Sequence, residues 1–322
     1  MRMEPSLHDR IRGGLLGTLV GDALGVPVEF SSRSARDLDP VVDMRGFGTW
    51  NQPSGTWSDD GAMALATADM LTTHGWQPQQ LMEGFRRWLD GGFWAAHGMP
   101  FDVGNATRNA IMLYRIHGDW SNCGQDSEWD NGNGSLMRCF PVSAWLVGAS
   151  PTDRIRLAGE ASALTHAHIR SRLCCAWHAQ WCEATLSERD VGVAAAQVNA
   201  RLRRDVPPAE WTHLARLLDG TILQAPRDSV NSSGYVVATL EASLWCVARH
   251  GSFSEMVLAA VNLGGDTDTT GAVTGGMAGW LLGAGAIPET WLSALPRRGE
   301  VEDLATRFAE RCLDQWSAHG PR

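Results

Sequence analysis

The sequence predicts an all-α protein, because apolar residues recur at helical spacing along most of the chain. Convincing period-two alternation, the pattern of half-buried strands, is missing. The first helical stretch runs through Ile11 and Leu24 and ends at Gly25 and Pro27, residue types that commonly end a helix. The same pattern predicts helices over residues 61–71, 81–89, 106–116, 136–147, 155–164, 169–186, 191–202, 214–223, 236–248, 256–261 and 304–316.

The composition is that of a soluble globular protein. Of the 322 residues, 44% are apolar and 20% are charged, which excludes a disordered or fibrous chain. The polar, proline-containing stretch 201–209 looks like a surface connector, since core-type helices continue on both sides of it. One domain over residues 1–322 is therefore the simplest assignment.

Charge and hydropathy exclude several classes of protein. The formal net charge of -9 argues against binding to nucleic acid or to an anionic membrane, since both need a basic face. No secretory signal is visible at the N-terminus, so we expect a cytoplasmic location. The uncharged stretch 271–288 has the length of a membrane span, but it is rich in Gly and Ala and follows two aspartates. We interpret it as a buried core helix, and we expect the seven cysteines to be reduced.

Two acidic clusters precede predicted helices. The first contains Ser58, Asp59 and Asp60, and the second is the segment 266–269, which reads Asp-Thr-Asp-Thr. Either cluster alone could simply cap its helix, because carboxylates are favoured at helix N-termini. Together they offer carboxylates and hydroxyls, the hard oxygen ligands that magnesium and manganese prefer. Each cluster starts a helix rich in small residues, so we expect these two helices to pack side by side and to bring the clusters together.

A third segment, residues 131–138, is a glycine-containing loop that leads into a predicted helix. Free backbone N–H groups at such a place suit phosphate oxygens. Asn-Gly pairs are also ordinary turn residues, so this segment alone favours a turn over a phosphate site.

Taken in order, these segments resemble the ADP-ribosylglycohydrolase family, whose members include the enzyme that reactivates ADP-ribosylated dinitrogenase reductase. The resemblance spans nearly the whole chain. It includes the segment 17–29, the W-S-D-D turn, the Asp-Val-Gly at 102–104, the G-N-G-x-x-M-R loop, Thr165-His166, the segment 233–236 and N-L-G-G-D-T-D-T-T-G-A at 262–272.

The resemblance implies a compact, orthogonal helical bundle with two divalent cations, Mg²⁺ or Mn²⁺. It implies hydrolysis that removes ADP-ribose from a modified protein side chain, by a monomer that acts on an ADP-ribosylated protein or an ADP-ribose-containing small molecule. The implied metal ligands are Ser58, Asp59, Asp60, Asp266, Asp268 and Thr269. The implied catalytic residues are Glu29, Asp102 and Asp60, and the implied substrate-binding residues are Gly134, Ser135, His166, Gly234 and Tyr235.

One departure from the family pattern concerns Gly61, since relatives commonly carry Thr after the two aspartates. A lost hydroxyl could leave a metal-binding carboxylate less firmly oriented. This departure slightly favours a catalytically silent relative, an ADP-ribose-binding or structural protein. A second alternative is an enzyme that hydrolyses small ADP-ribose derivatives instead of modified proteins. Without the resemblance, His166 is interpreted as a capping or packing residue, and Tyr235 could equally be a core residue.

Overall fold

The computed structural model describes residues 4–318, and within them it confirms the all-α prediction. The described residues form no strand, only three isolated β-bridges. The fifteen helices are α1 Leu7–Gly25, α2 Arg33–Leu38, α3 Asp59–His74, α4 Pro78–Gly91, α5 Asn105–His117, α6 Phe140–Trp145, α7 Pro151–Ala163, α8 Ile169–Ser187, α9 Val191–Leu202, α10 Trp211–Leu218, α11 Val236–Arg249, α12 Phe253–Val261, α13 Thr267–Leu282, α14 Glu289–Ala294 and α15 Arg298–Ala318.

The sequence pattern misjudged the short helices. It did not predict α2 or α14, which have six residues each and are too short for a periodic signal. The helix predicted over 136–147 begins only at Phe140, because the chain before it turns back on itself and Leu136 N–H donates to the Asn133 carbonyl. The helix predicted over 214–223 ends at Leu218, since Gly220 takes a positive φ of 71°.

Two antiparallel helices, α1 and α13, form the centre of the molecule and touch backbone to backbone. A Cβ atom added at Gly17 would lie 2.2 Å from the Gly275 carbonyl oxygen, and one at Gly21 would lie 2.0 Å from the Gly271 oxygen. Glycines spaced four residues apart on both helices permit this approach. We call this contact the glycine seam, defined by Gly13, Gly17 and Gly21 of α1 and Gly271, Gly275 and Gly279 of α13.

The glycine seam corrects one expectation from the sequence. The glycines of α13 pack against α1 and not against the alanine-rich α3. Helix α3 packs mainly on α4 and α15 and also contacts α1. The two acidic clusters nevertheless meet, because α1 contacts both α3 and α13 and its last turns reach the start of each.

The stretch Leu7–Val28, which contains α1, is by length and composition apolar enough to cross a membrane, with a mean hydropathy of 1.2. In the described chain, 94% of its most apolar window is buried inside the protein. The 271–288 stretch, interpreted from the sequence as a core helix, coincides largely with α13, whose residues 267–280 are all buried. Both segments are therefore accounted for by the central pair of helices.

A buried histidine on α8 predicts a pH dependence of stability. Burial lowers the pKa of His178 to about 4, and its Nδ1 lies 2.8 Å from the Ser143 hydroxyl. The unfolded chain binds a proton below about pH 6.5, whereas the folded chain does so only below about pH 4. We therefore expect the free energy of unfolding to fall as pH drops between these values, by roughly 2–4 kcal/mol from this group.

Urea denaturation at several pH values measures this dependence. His178→Asn keeps a polar atom near Ser143 and should flatten the slope of stability against pH in this window. The exposed His117→Asn variant, measured in parallel, is the control for removal of a histidine outside the core. An unaltered slope in His178→Asn would contradict the assignment.

Candidate active site

A cavity of about 520 Å³ opens where the starts of α3, α5 and α13 meet. Its size lies within the usual range of small-molecule sites. Its walls include these residues named from the sequence: Glu29, Asp59, Asp60, Asp102, Gly134, His166, Asp266 and Thr269. The fold thus brings together residues from both acidic clusters, the 131–138 loop and Thr165-His166.

Carboxylates converge at one end of this cavity. Oxygens of Glu29, Asp266 and Asp268 lie within 4.8 Å of one another. In addition, Asp60 Oδ2, Asp266 Oδ1 and Asp268 Oδ2 are buried and receive no hydrogen bond. Buried carboxylate oxygens are normally satisfied by a donor or a cation. The chemistry of this oxygen-rich donor set therefore fits hard divalent cations.

Burial and mutual repulsion disfavour the ionised forms of these carboxylates. Burial raises the pKa of Asp59, Asp60 and Asp268 well above the usual range, and neighbouring carboxylates add to the effect. Burial, followed by the nearby Asp102, raises the pKa of Glu29 to about 9. A cation that binds here would replace protons and remove this cost.

Asp22, near the C-terminal end of α1, holds the first acidic cluster in place. Its buried carboxylate accepts hydrogen bonds from Ser58 N–H at 3.0 Å and from Gly61 N–H at 2.7 Å, so it caps α3 from outside the helix. The Ser58 hydroxyl accepts from Asp60 N–H at 3.2 Å. The sequence pattern gave no role to Asp22, although its place in the segment 17–29, which carries the family resemblance, could have indicated one.

The structure explains why glycine follows the two aspartates. A Cβ atom at Gly61 would lie 2.7 Å from Leu19 Cδ2 and 2.8 Å from Trp57 Cβ. Those two side chains occupy the space that a threonine side chain would need. The orientation of α3 comes instead from Asp22, which binds the Gly61 N–H.

Glu29 reaches the second acidic cluster through a backbone connection. Phe30 N–H donates to the Gly265 carbonyl at 2.7 Å, and Gly265 N–H donates to the Ser31 carbonyl at 2.8 Å. Gly264 and Gly265 have φ values of 73° and 74°, which favour glycine and let the loop turn directly into α13. The Glu29 segment and the start of α13 are therefore held side by side.

The third predicted segment joins the acidic site through Asn133. Its amide group donates to Asp266 Oδ2 at 2.9 Å and to the Thr239 hydroxyl at 2.9 Å, while its N–H donates to the Gly234 carbonyl. Gly234 also packs close to Asp266, since a Cβ atom added at Gly234 would lie 3.0 Å from Asp266 Oδ2. The 131–138 loop is thus attached to the acidic end of the cavity.

His166 and the start of α5 form another wall, which Asp130 also lines. Burial lowers the pKa of His166 to about 3, so this histidine is neutral at physiological pH. The residues Gly104, Asn105, Ala106 and Thr107, at the start of α5, also line the cavity, and α5 has no side-chain cap. The N–H groups of such a helix start suit an anion. The sequence predicts this helix over 106–116, close to its observed start at Asn105, but no signal in the sequence marks the helix start as a binding surface.

Several predicted residues do not line the cavity. The Ser135 hydroxyl accepts from the Ser162 hydroxyl at 2.8 Å in the protein interior. Gly234 and the half-buried Tyr235 lie just behind the 131–138 loop, where Tyr235 bridges to Gly132. Ser58 and Asp268 are buried beneath the surface of the cavity. The roles given to these residues therefore stay predictions.

A second acidic group is neutralised by a cationic side chain. Carboxylates of Glu128 and Glu210 come close to His168, but the Arg170 guanidinium pairs with both, at 2.7 Å from Glu128 and 2.5 Å from Glu210. This cluster is an ion-pair network that attaches the loop before Trp129 to α8. Trp129 itself lines the cavity and is 92% exposed.

Comparisons with known proteins identify the family of this chain. The family model described as ADP-ribosylglycohydrolase matches residues 3–318. A Pseudomonas putida (strain GB-1) protein named ADP-ribosylarginine hydrolase Tri1 is 33% identical over 308 residues, which cover 94% of this chain and 78% of that protein. The Rhodospirillum rubrum ADP-ribosyl-[dinitrogen reductase] glycohydrolase is 31% identical over 301 residues, covering 92% of this chain and 94% of that protein.

A solved structure gives the same result. A chain of an "ADP-ribosylglycohydrolase-related protein complex" superposes with a TM-score of 0.79 and 34% identity, covering 95% of this chain and 99% of that one. Family model, relatives and structure thus agree over nearly the full length. This chain belongs to the ADP-ribosylglycohydrolase family of enzymes.

Proposed function

We propose that this protein removes ADP-ribose from modified arginine side chains of proteins, in a reaction that depends on divalent cations. The observation that carries this proposal is the convergence of buried carboxylates, three of whose oxygens have no donor, in one open cavity. The choice of arginine is supported by the relatives named ADP-ribosylarginine hydrolase, which are 33% and 32% identical to this chain.

The residues that would hold two cations are Ser58, Asp59, Asp60, Asp266, Asp268 and Thr269. When bound, Mg²⁺ or Mn²⁺ would supply Lewis acidity beside the carbon that reacts. No arginine or lysine from the described part of the chain lines the cavity. The substrate's diphosphate would therefore rest on backbone N–H groups at Gly134 and at the start of α5, with neutral His166 beside it.

Glu29 and Asp102 are the candidates for proton transfer. Burial raises the pKa of Glu29 to about 9 and that of Asp102 to about 6, so Glu29 holds its proton more firmly than Asp102 does. Asp102 is thus the ionised member of the pair and can accept a proton. The Trp50 indole N–H donates to Glu29 and fixes its orientation.

The chemistry then follows from these positions. The bond between the anomeric carbon and the arginine nitrogen breaks through an oxocarbenium-like state, and a water oxygen bonds to that carbon. Asp102 accepts a proton from this water, which requires hydrogen-bond reach. The proton passes to the departing nitrogen, so the products are free ADP-ribose and an unmodified arginine.

The test is release of ADP-ribose from arginine-, serine- and base-linked substrates, measured by chromatography after treatment with EDTA and after return of Mg²⁺ or Mn²⁺. We expect the arginine-linked substrate to release ADP-ribose when cation is added back, and to release none in EDTA. Release that persists in EDTA would contradict the metal dependence. Release only from another linkage would contradict the choice of arginine, and no release at all would favour a silent relative.

A further inference from the structure

Three aromatic side chains stand together beside the carboxylates. Phe30 follows Glu29 and lines the cavity, and Phe101 precedes Asp102. The ring of Trp50 lies between them, with its centroid 6.4 Å from that of Phe30 and 5.7 Å from that of Phe101. We call Phe30, Trp50 and Phe101 the aromatic trio.

The position of Phe30 is costly for the folded protein. Its side chain is 67% exposed, and its φ is 62°, a region that residues other than glycine rarely adopt. Asp102, at the other side of the trio, has a φ of 56°. Strained residues persist where the surrounding structure imposes them, and they concentrate at ligand sites. An exposed ring held in this way contributes little to the core, and the ring of Phe30 also lines the cavity, where a ligand can reach it.

The charge around the trio selects the kind of ligand. Glu29 accepts a hydrogen bond from Trp50, and Asp102 follows Phe101 directly, so the rings border two carboxyl groups. Asp102 is not among the residues that would hold the cations, and no cationic side chain among the described residues lines the cavity to pair with it. Aromatic faces next to carboxylates attract cations, and a planar guanidinium can also stack on a ring.

The chemistry of the reaction places a guanidinium at this end. The distal ribose must lie at the carboxylates for its anomeric carbon to react, and the atoms beyond that carbon belong to the leaving group. Backbone N–H groups at the start of α5 and at Gly134 suit the diphosphate. Of the trio, Phe30 faces the cavity, so its ring is available to the leaving group.

We propose that the aromatic trio is the leaving-group subsite, in which the face of Phe30 binds the guanidinium of the modified arginine and thereby selects arginine-linked over serine-linked ADP-ribose. This inference rests on the proposed function, because it names the residues that choose the linkage. Trp50 acts as a positioning residue, since it contacts both Phe30 and Glu29.

Steady-state kinetics on arginine- and serine-linked ADP-ribose tests the selection. Phe30→Ala and Phe30→Leu should lower kcat/KM for the arginine-linked substrate roughly 5- to 30-fold, as expected for a lost cation–π contact. The kcat/KM for the serine-linked substrate should change by less than about twofold. Phe30→Tyr keeps the aromatic face and should stay close to wild type. Equal losses on both substrates, or no loss, would overturn the proposal.

Phe47 offers a matched control. It is 64% exposed with a φ of 67°, close to the values of Phe30, and it does not line the cavity. Phe47→Leu should therefore leave both substrates unaffected. A loss on the arginine-linked substrate equal to that of Phe30→Leu would mean that general loop stability, and not ring contact, sets the rate, and would overturn the proposal.

A binding measurement decides the inference separately from hydrolysis. Propylguanidinium and butylammonium, two cations of similar length, can be titrated by ligand-observed NMR into protein saturated with Mg²⁺ and ADP-ribose. We expect propylguanidinium to bind several-fold more tightly, and Phe30→Leu to remove that preference. Equal binding of the two cations would overturn the inference even for an active enzyme. Absence of hydrolysis alone would instead count against the proposed function.

Discussion

Replacing Asp268 by asparagine is expected to lower the hydrolysis rate by more than about a hundredfold, the upper range of losses when residues that merely orient a ligand are changed. One Asp268 oxygen accepts from Thr269 N–H at 2.9 Å, and the other is buried without a donor. Asparagine keeps the shape and the acceptor but removes the charge. The rise in Tm that Mn²⁺ gives the wild-type protein should disappear, because a cation that binds the folded state stabilises it.

The same variant should be more stable than wild type when cations are removed. Burial and the neighbouring carboxylates raise the pKa of Asp268, so this group costs stability as the pH rises above the ordinary pKa of an aspartate. Thermal unfolding at pH 8 with EDTA measures this gain. Asp303→Asn, on an exposed side chain paired with Arg307, is the control and should change neither Tm nor rate appreciably. A variant with a normal rate and a normal Mn²⁺-induced Tm rise would refute the assigned ligand role.

Replacing Gly275 by alanine is expected to lower the free energy of unfolding by about 3 kcal/mol or more, at the high end of overpacking effects. The added Cβ would lie 2.0 Å from the carbonyl oxygen of Gly17, a backbone atom that cannot move aside unless the two helices separate. Because Gly25 at the end of α1 also lies against the backbone of Asp268, such a separation would displace the proposed cation ligands.

Chemical denaturation measures the loss of stability, and Mn²⁺ titration measures the displacement of the proposed cation ligands. Gly299→Ala is the matched control, since Gly299 lies in helix α15 with nothing within 4 Å of the added Cβ. It should gain up to about 1 kcal/mol from helix propensity. If Gly275→Ala were as stable as this control, the close contact of the glycine seam would be wrong.

The sequence was informative where its signals were long or chemical. Helical periodicity predicted α8 and α9 almost to the residue, and the acidic clusters pointed to the cavity wall. It could not predict which helices pack together, since the alanines of α3 and the glycines of α13 look equally suited to close approach. Only the four-residue spacing of glycine in both α1 and α13 distinguishes the true pair, and that signal is visible only when the two segments are compared.

Other site features have no local signature. Asp22 is one aspartate among many until its carboxylate is seen to receive the N–H groups of Ser58 and Gly61. The grouping of Phe30, Trp50 and Phe101 depends on loops, whose paths follow from tertiary contacts and not from periodicity. Family resemblance supplied residue roles, but it could not show which side chains reach the cavity.

The glycine seam also has a consequence during synthesis. Thr267, in the first turn of α13, donates to the Gly25 carbonyl at the end of α1, across 242 residues of sequence. Helix α1 therefore leaves the ribosome long before its partner exists, roughly tens of seconds earlier at ordinary translation rates. Through that interval a helix that is almost entirely buried in the folded protein lacks its partner, and the two acidic clusters come together only after α13 has been synthesised.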